Sequence, residues 1–114
     1  SVYGIGITTT RVAAEAIEML KAGDGKRVVL CCATRGSPFS KSGHFVVMVA
    51  AKDGYVYFLD PLRRTAKDYE KIDRYGFVEV LAPGVVRIAE DKAATVCNLS
   101  PHYVMERITE EEGL

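Results

Sequence analysis

The sequence predicts an α+β domain built on an antiparallel sheet, and three observations carry that expectation. The chain has 114 residues, 48% of them hydrophobic, enough for one core and not two. Short β-branched runs separated by glycine, proline and aspartate turns dominate the pattern. Only one segment, Ala13, Ala16, Ile17 and Leu20, repeats its apolar residues clearly at helical spacing. No internal repeat, low-complexity tract, phosphate-binding glycine loop or linker divides the chain, so residues 1–114 read as a single domain.

Taken in order, Thr8-Thr9-Thr10 offers capping hydroxyls ahead of Arg11, and the helix that follows stops at Gly23-Asp24-Gly25. Its apolar stripe needs a sheet to pack on. Strands are expected at about Arg27–Ala33, His44–Ala51 and Tyr55–Leu59, the middle one apolar on both faces and so covered on both. The connection Thr34 to Ser42, rich in glycine, serine and proline, enters the strand of His44 and makes Ser40, Ser42 and Gly43 candidate groove residues. An ordinary solvated crossover has the same composition. Alternating charges over Thr65–Ile72 suit a short exposed helix or turn, with the charges solvating it. Further strands are expected over Phe77–Leu81, over Gly84–Ile88 after the Ala82-Pro83-Gly84 turn, and over Ala94–Leu99, before an acidic tail that frays from Glu106 to Glu112.

The chemistry concentrates in one hairpin. Ser42-Gly43-His44 leads into Phe45-Val46-Val47-Met48-Val49, and after Asp53-Gly54 the run Tyr55–Leu59 ends in Asp60-Pro61. A histidine entering one strand and a carboxylate leaving the next form a general base with its orienting acid only if both lie on one face, and register decides that. A two-residue loop at Asp53-Gly54 pairs Lys52 with Tyr55, sets Val47 opposite Asp60 and puts His44 on the other face. A three-residue loop, Lys52-Asp53-Gly54, with Gly54 left-handed in a G1 bulge, pairs Ala51 with Tyr55 and Val46 with Asp60. His44 is then diagonal to Asp60, roughly 7–8 Å away at the backbone, within reach of one imidazole–carboxylate hydrogen bond. The three-residue loop is the expected one. The competing structural account has His44 capping a buried strand and Asp60 opening a turn.

Other residues add less. Cys31 and Cys32 continue Val28-Val29-Leu30 as small hydrophobes in a buried strand, with one of them on the face of His44, and Cys97 reads as a packed strand residue. A nucleophilic thiol needs a helix N-terminus or a nearby cation, and access, which this context does not offer. Adjacent cysteines with two distant histidines lack the spacing of a zinc site, so no metal or cofactor is expected, and His102 reads as a surface or capping residue. Lysine plus arginine and aspartate plus glutamate both number 15, which leaves no electrostatic footprint for nucleic acid. No apolar run approaches the roughly 18 residues of a membrane span. Three cysteines, two adjacent, make a poor disulfide framework and suit a reducing compartment or a fold that needs no bridges.

From Gly36 to Asp60 the wording Gly-Ser-Pro-Phe-Ser-Lys-Ser-Gly-His-Phe-Val-Val-Met-Val, then Asp-Gly and Asp-Pro, resembles the C-terminal half of papain-like cysteine peptidases of the bacteriocin-processing type, family thirty-nine and its relatives. The likeness runs from about Val12 to Arg64, taking in Leu20-Lys21-Ala22-Gly23, Lys26–Leu30 and Asp60-Pro61-Leu62-Arg63-Arg64, and fades after Tyr75. It implies the antiparallel sheet half of a papain-like fold with one packed helix. It also implies His44 as general base, Asp60 as orienting acid, and cleavage of peptide amide bonds in an exported or cell-surface protein. The family's nucleophilic cysteine opens a helix in the N-terminal half and is preceded by a glutamine. No such segment is present, and the chain contains no glutamine. The expectation is therefore the C-terminal part of a peptidase domain whose nucleophile lies outside this chain, or a degenerate relative that binds peptides or a protein partner without cutting. A lone sheet half would leave an apolar face for an N-terminal fragment or a second copy to cover.

Overall fold

In the computed structural model, residues 4–33, 44–60, 65–72, 76–96 and 99–108 are described. Seven strands and three helices follow in the order β1 (Gly4–Thr10), α1 (Ala13–Ala22), β2 (Arg27–Ala33), β3 (His44–Lys52), β4 (Tyr55–Leu59), α2 (Ala66–Ile72), β5 (Glu79–Ala82), β6 (Val85–Ala89), α3 (Glu90–Val96) and β7 (Leu99–Ile108). One sheet of order β1-β7-β2-β3-β4-β6-β5 contains all seven, each pair of neighbours antiparallel. The domain is thus α+β, as expected. Because β7 lies between them, β1 and β2 run parallel, which is why a helix must carry the chain from one to the other.

Helix α1 lies over β7, β2 and β3, while α3 lies over β4 and β6 and touches α1. Both helices cover the same face. The stripe Ala13, Ala16, Ile17 and Leu20 is buried, its last three residues in one core with Val29, Cys31, Val46, Met48, Val56, Phe58, Val86, Ile88 and Val104. Arg27 anchors the end of α1: its Nη1 donates at 2.8 Å to the Met19 carbonyl, which also accepts from the Gly23 N–H at 3.1 Å, and its Nε donates to Glu106 at 2.9 Å, tying the last turn of α1 and β7 to β2. A side chain at Gly23 would sit 2.5 Å from the Arg27 Cγ, so glycine there makes room for the clamp. Lys21 bridges Glu90 of α3 and Glu18, and these hydrogen bonds raise its pKa above the ordinary lysine value. Any stabilisation from it is complete below that ordinary value and fades as pH climbs through the raised one.

Four expectations are corrected. Gly4–Thr10 is a strand, its alternation of isoleucine with glycine and threonine outweighing the capping role read into the threonines. Val12 is the N-cap of α1 and has no side-chain capping bond. Residues 90–96 form a helix, opened by Glu90 and Asp91, in place of a strand over Ala94–Leu99, and Cys97 lies outside the described residues. Glu106, expected in a fraying tail, is a β7 residue paired with Arg27.

The fourth correction concerns the hairpin. Lys52 pairs with Tyr55, so the loop is the two-residue Asp53-Gly54, with φ of 56° and 81°. Positive φ at both central positions is the signature of a type I′ turn, which matches the strand twist. Register is then reset inside β3: Ala50 opposes Tyr57 but Met48 opposes Phe58, leaving Val49 as a bulge. Beyond it Val47 faces Leu59, which sets Val46 level with Asp60. The relation expected from a longer loop therefore holds, through a bulge four residues before the turn. Gly54→Ala is expected to lower stability by roughly 1–2 kcal/mol, the cost of a left-handed non-glycine residue, read as a shift of the urea midpoint. An unchanged midpoint would show that the turn tolerates another geometry.

Candidate functional site

Strand ends converge at one edge of the sheet. Thr10 closes β1 opposite His102 on β7, Ala33 closes β2 opposite His44, Leu99 opens β7 opposite Cys32, and Asp60 follows β4. By backbone register His44 is diagonal to Asp60 on one side and to Cys31, which opposes Val46, on the other. Of the sequence-predicted site, then, His44 and Asp60 are brought to adjacent strands at the same edge. The His44 side chain lies outside the described residues, as do Ser40, Ser42 and Gly43.

Asp60 is 2% exposed, an unusual position for a carboxylate. Its backbone and its carboxylate are both held. Its N–H donates to the Gly84 carbonyl at 2.8 Å, continuing the β4–β6 ladder one residue past the strand, and the Tyr69 hydroxyl donates to Oδ2 at 2.5 Å. That is the length of a charge-assisted O–H···O⁻ bond. Tyr69 is itself 2% exposed, delivered by α2, whose first turn is closed by Asp68 accepting from the Thr65 N–H (2.8 Å) and hydroxyl (3.1 Å). Within the segment Thr65–Ile72, Ala66–Ile72 is thus a helix, but one of its residues holds the acid, a role that solvating charges did not suggest. Of this helix the described burial is that of Tyr69 alone, with Ala66 exposed, so helical spacing did not mark it out.

Cys31 is fully buried, with its Sγ 3.6 Å from the Val46 carbonyl oxygen. A thiol donating to a strand carbonyl in the core is a packing group, in agreement with the sequence reading. His102 is corrected: it is fully buried, and Nδ1 donates to the Thr10 carbonyl oxygen at 3.3 Å, fastening β7 to the end of β1. His102 shares its face of β7 with the buried Val104, while Tyr103 between them is exposed, so its burial follows strand alternation.

The opening turn of α1, Val12 to Glu15, lies at this edge because β1 ends there, and it carries no cysteine. Among the described residues no three histidine, cysteine, aspartate or glutamate side chains converge to hold a metal ion, and no helix is long and apolar enough to cross a membrane. Comparison with protein-family models, with curated proteins and with solved structures finds no match to the chain.

Proposed function

We propose that this chain carries the base and orienting-acid part of a cysteine-peptidase-like hydrolase, in the sheet half of a papain-like fold, with His44 as general base and Asp60 as its carboxylate partner. The observation that supports the reading best is Asp60: a carboxylate held in the core by Tyr69, level with Val46 and diagonal to His44. A fixed carboxylate beside an imidazole selects the ring tautomer and stabilises the imidazolium. His44 would take the proton of a thiol supplied from outside this chain. The thiolate would attack a peptide carbonyl carbon, the C–N bond would break as His44 returns the proton to the leaving amine, and water would hydrolyse the thioester. Burial of Cys31 favours a second reading, a peptidase-like domain that binds a peptide or protein partner without cutting it.

The chain has two histidines, so its imidazole NMR spectrum is small enough to assign with His44→Ala. If the pair exists, His44 titrates above the ordinary histidine value of about 6.5 and falls back in Asp60→Asn. A titration indifferent to that substitution would sink the pairing. Cleavage separates the two functional readings: with a thiol-bearing partner present, His44→Ala is expected to slow peptide hydrolysis by roughly 10²–10⁴-fold. Peptide binding that survives with no hydrolysis in the parent would leave the binding domain.

A further inference from the structure

The sheet has two edges, and they are built differently. β5 is four residues long, its register shifts between Val80 and Ala82, and its Glu79 is ion-paired with Arg87. Shortness, irregularity and charge are the devices by which natural edges avoid further pairing. β1 has none of them. It pairs with β7 through seven consecutive residues without a shift, it holds no proline and no charged residue, and no described strand lies on its outer side. In an antiparallel strand each residue turns its N–H and C=O to one side, alternately, so every second residue of Gly4–Thr10 aims both groups away from β7. Such a row is satisfied by another extended backbone. Ile7, at its middle, is 63% exposed.

We propose that a second copy of the chain supplies that backbone, β1 against β1 in antiparallel register about Ile7, so that two sheets join edge to edge. The sequence of the strand selects this occupant, because it is complementary to itself. With Ile7 opposite Ile7 of the other copy, Gly6 meets Thr8, Ile5 meets Thr9 and Gly4 meets Thr10. Both glycines, poor strand residues by themselves, are paired with threonines, and every other pair is β-branched on both sides. All seven residues find a partner, which makes about six to eight main-chain hydrogen bonds. Each pair joins positions of one parity, so the helix-covered faces of the two copies stay on the same side. That side is matched as well. Gly6, Glu106 and Arg27 form one row across β1, β7 and β2, and beside it lies a cavity of about 180 Å³ lined by Gly6, Thr8, Met19, Arg27, Val104 and Glu106. Gly6 places no side chain in front of this cavity. Thr8 of the other copy, opposite Gly6 on the same face, brings its hydroxyl to the mouth, where the Glu106 carboxylate can accept from it.

The contact is independent of the chemistry proposed at His44, and its test reads both mass and register. Sedimentation equilibrium of the 114-residue chain at about 200 μM is expected to return twice the 12.5 kDa chain mass. Ile7→Lys sets two like charges opposite each other on the axis and is expected to weaken association at least ~10-fold, while Ile7→Val keeps the dimer. Because Ile7 is largely exposed, the lysine leaves the fold of each copy intact. Leu81→Lys, on an exposed residue of the opposite edge, is expected to change nothing. Register is read by mild oxidation: Ile7→Cys brings two Cβ atoms to roughly 4.5–5.5 Å and is expected to form a linked dimer through position 7. Thr9→Cys, whose two copies would stand roughly 13 Å apart, is expected to form none. A monomeric parent at this concentration would overturn the proposal and leave the edge to another segment or peptide. Association that survives Ile7→Lys, or linkage through position 9 in place of position 7, would overturn it equally.

Discussion

Phe58→Ala is expected to destabilise the domain by about 3–5 kcal/mol, the range for emptying an aromatic site in a packed core. Phe58 is the largest of the fully buried side chains among the described residues, on β4, and it faces Met48 of β3 and Val86 of β6, both also fully buried. Helices α1 and α3 close the space above them, so neighbouring side chains can collapse into the gap only by moving elements that are pinned elsewhere. A domain of this length has a total stability on the order of 6–17 kcal/mol, and the substitution therefore removes a large share of it. Denaturant unfolding measures the loss directly, and Phe58→Leu, which keeps most of the volume, is expected to cost less than half as much. A loss below about 1 kcal/mol for Phe58→Ala would mean that the site repacks and the core is centred elsewhere.

How much of this was legible in the sequence follows from the range of the interactions involved. Strands β2 and β4 and helix α1 rest on local patterning, and they lie where those signals put them, whereas the turn at Asp53-Gly54 has two residues where three were expected. The relation between His44 and Asp60 was expected for a reason that proved wrong in place. The loop has two residues, and the bulge at Val49 supplies the shift. No residue type announces a bulge inside Val-Val-Met-Val-Ala-Ala, since each of these positions suits a regular strand. The partners of β1 and β7 are remote in sequence, almost the whole chain apart, and local patterning is silent about such pairs. Hence the burial of His102, which depends on β1 lying beside β7, was missed. The Tyr69 contact to Asp60 depends on how α2 folds back on the end of β4, a tertiary choice that the alternating charges of that segment obscure.

Asp60→Ala is expected to cost about 2–3 kcal/mol, because the buried Tyr69 hydroxyl loses a charged acceptor at a place water cannot easily reach. Tyr69→Phe removes the donor and leaves the buried carboxylate one hydrogen bond poorer, which also destabilises. The two changes should therefore not add: the double variant is expected to lose less than the sum of the singles by at least about 1 kcal/mol. Additivity within about 0.5 kcal/mol would show that the bond contributes nothing beyond its two ends. Asp60→Asn divides structure from chemistry. Its amide oxygen can still accept from Tyr69, so most of the stability is retained, but an amide no longer stabilises an imidazolium and can present its NH₂ to the ring. Were Asp60 only a turn residue held by Tyr69, the asparagine variant would behave like the parent in every assay. As the orienting acid of a hydrolase it should leave the fold nearly intact and slow cleavage by up to ~10⁴-fold, the scale seen where an amide selects the wrong histidine tautomer. A variant that melts like the parent but fails to cleave would assign Asp60 to the chemistry, since nothing in its packing would account for the loss.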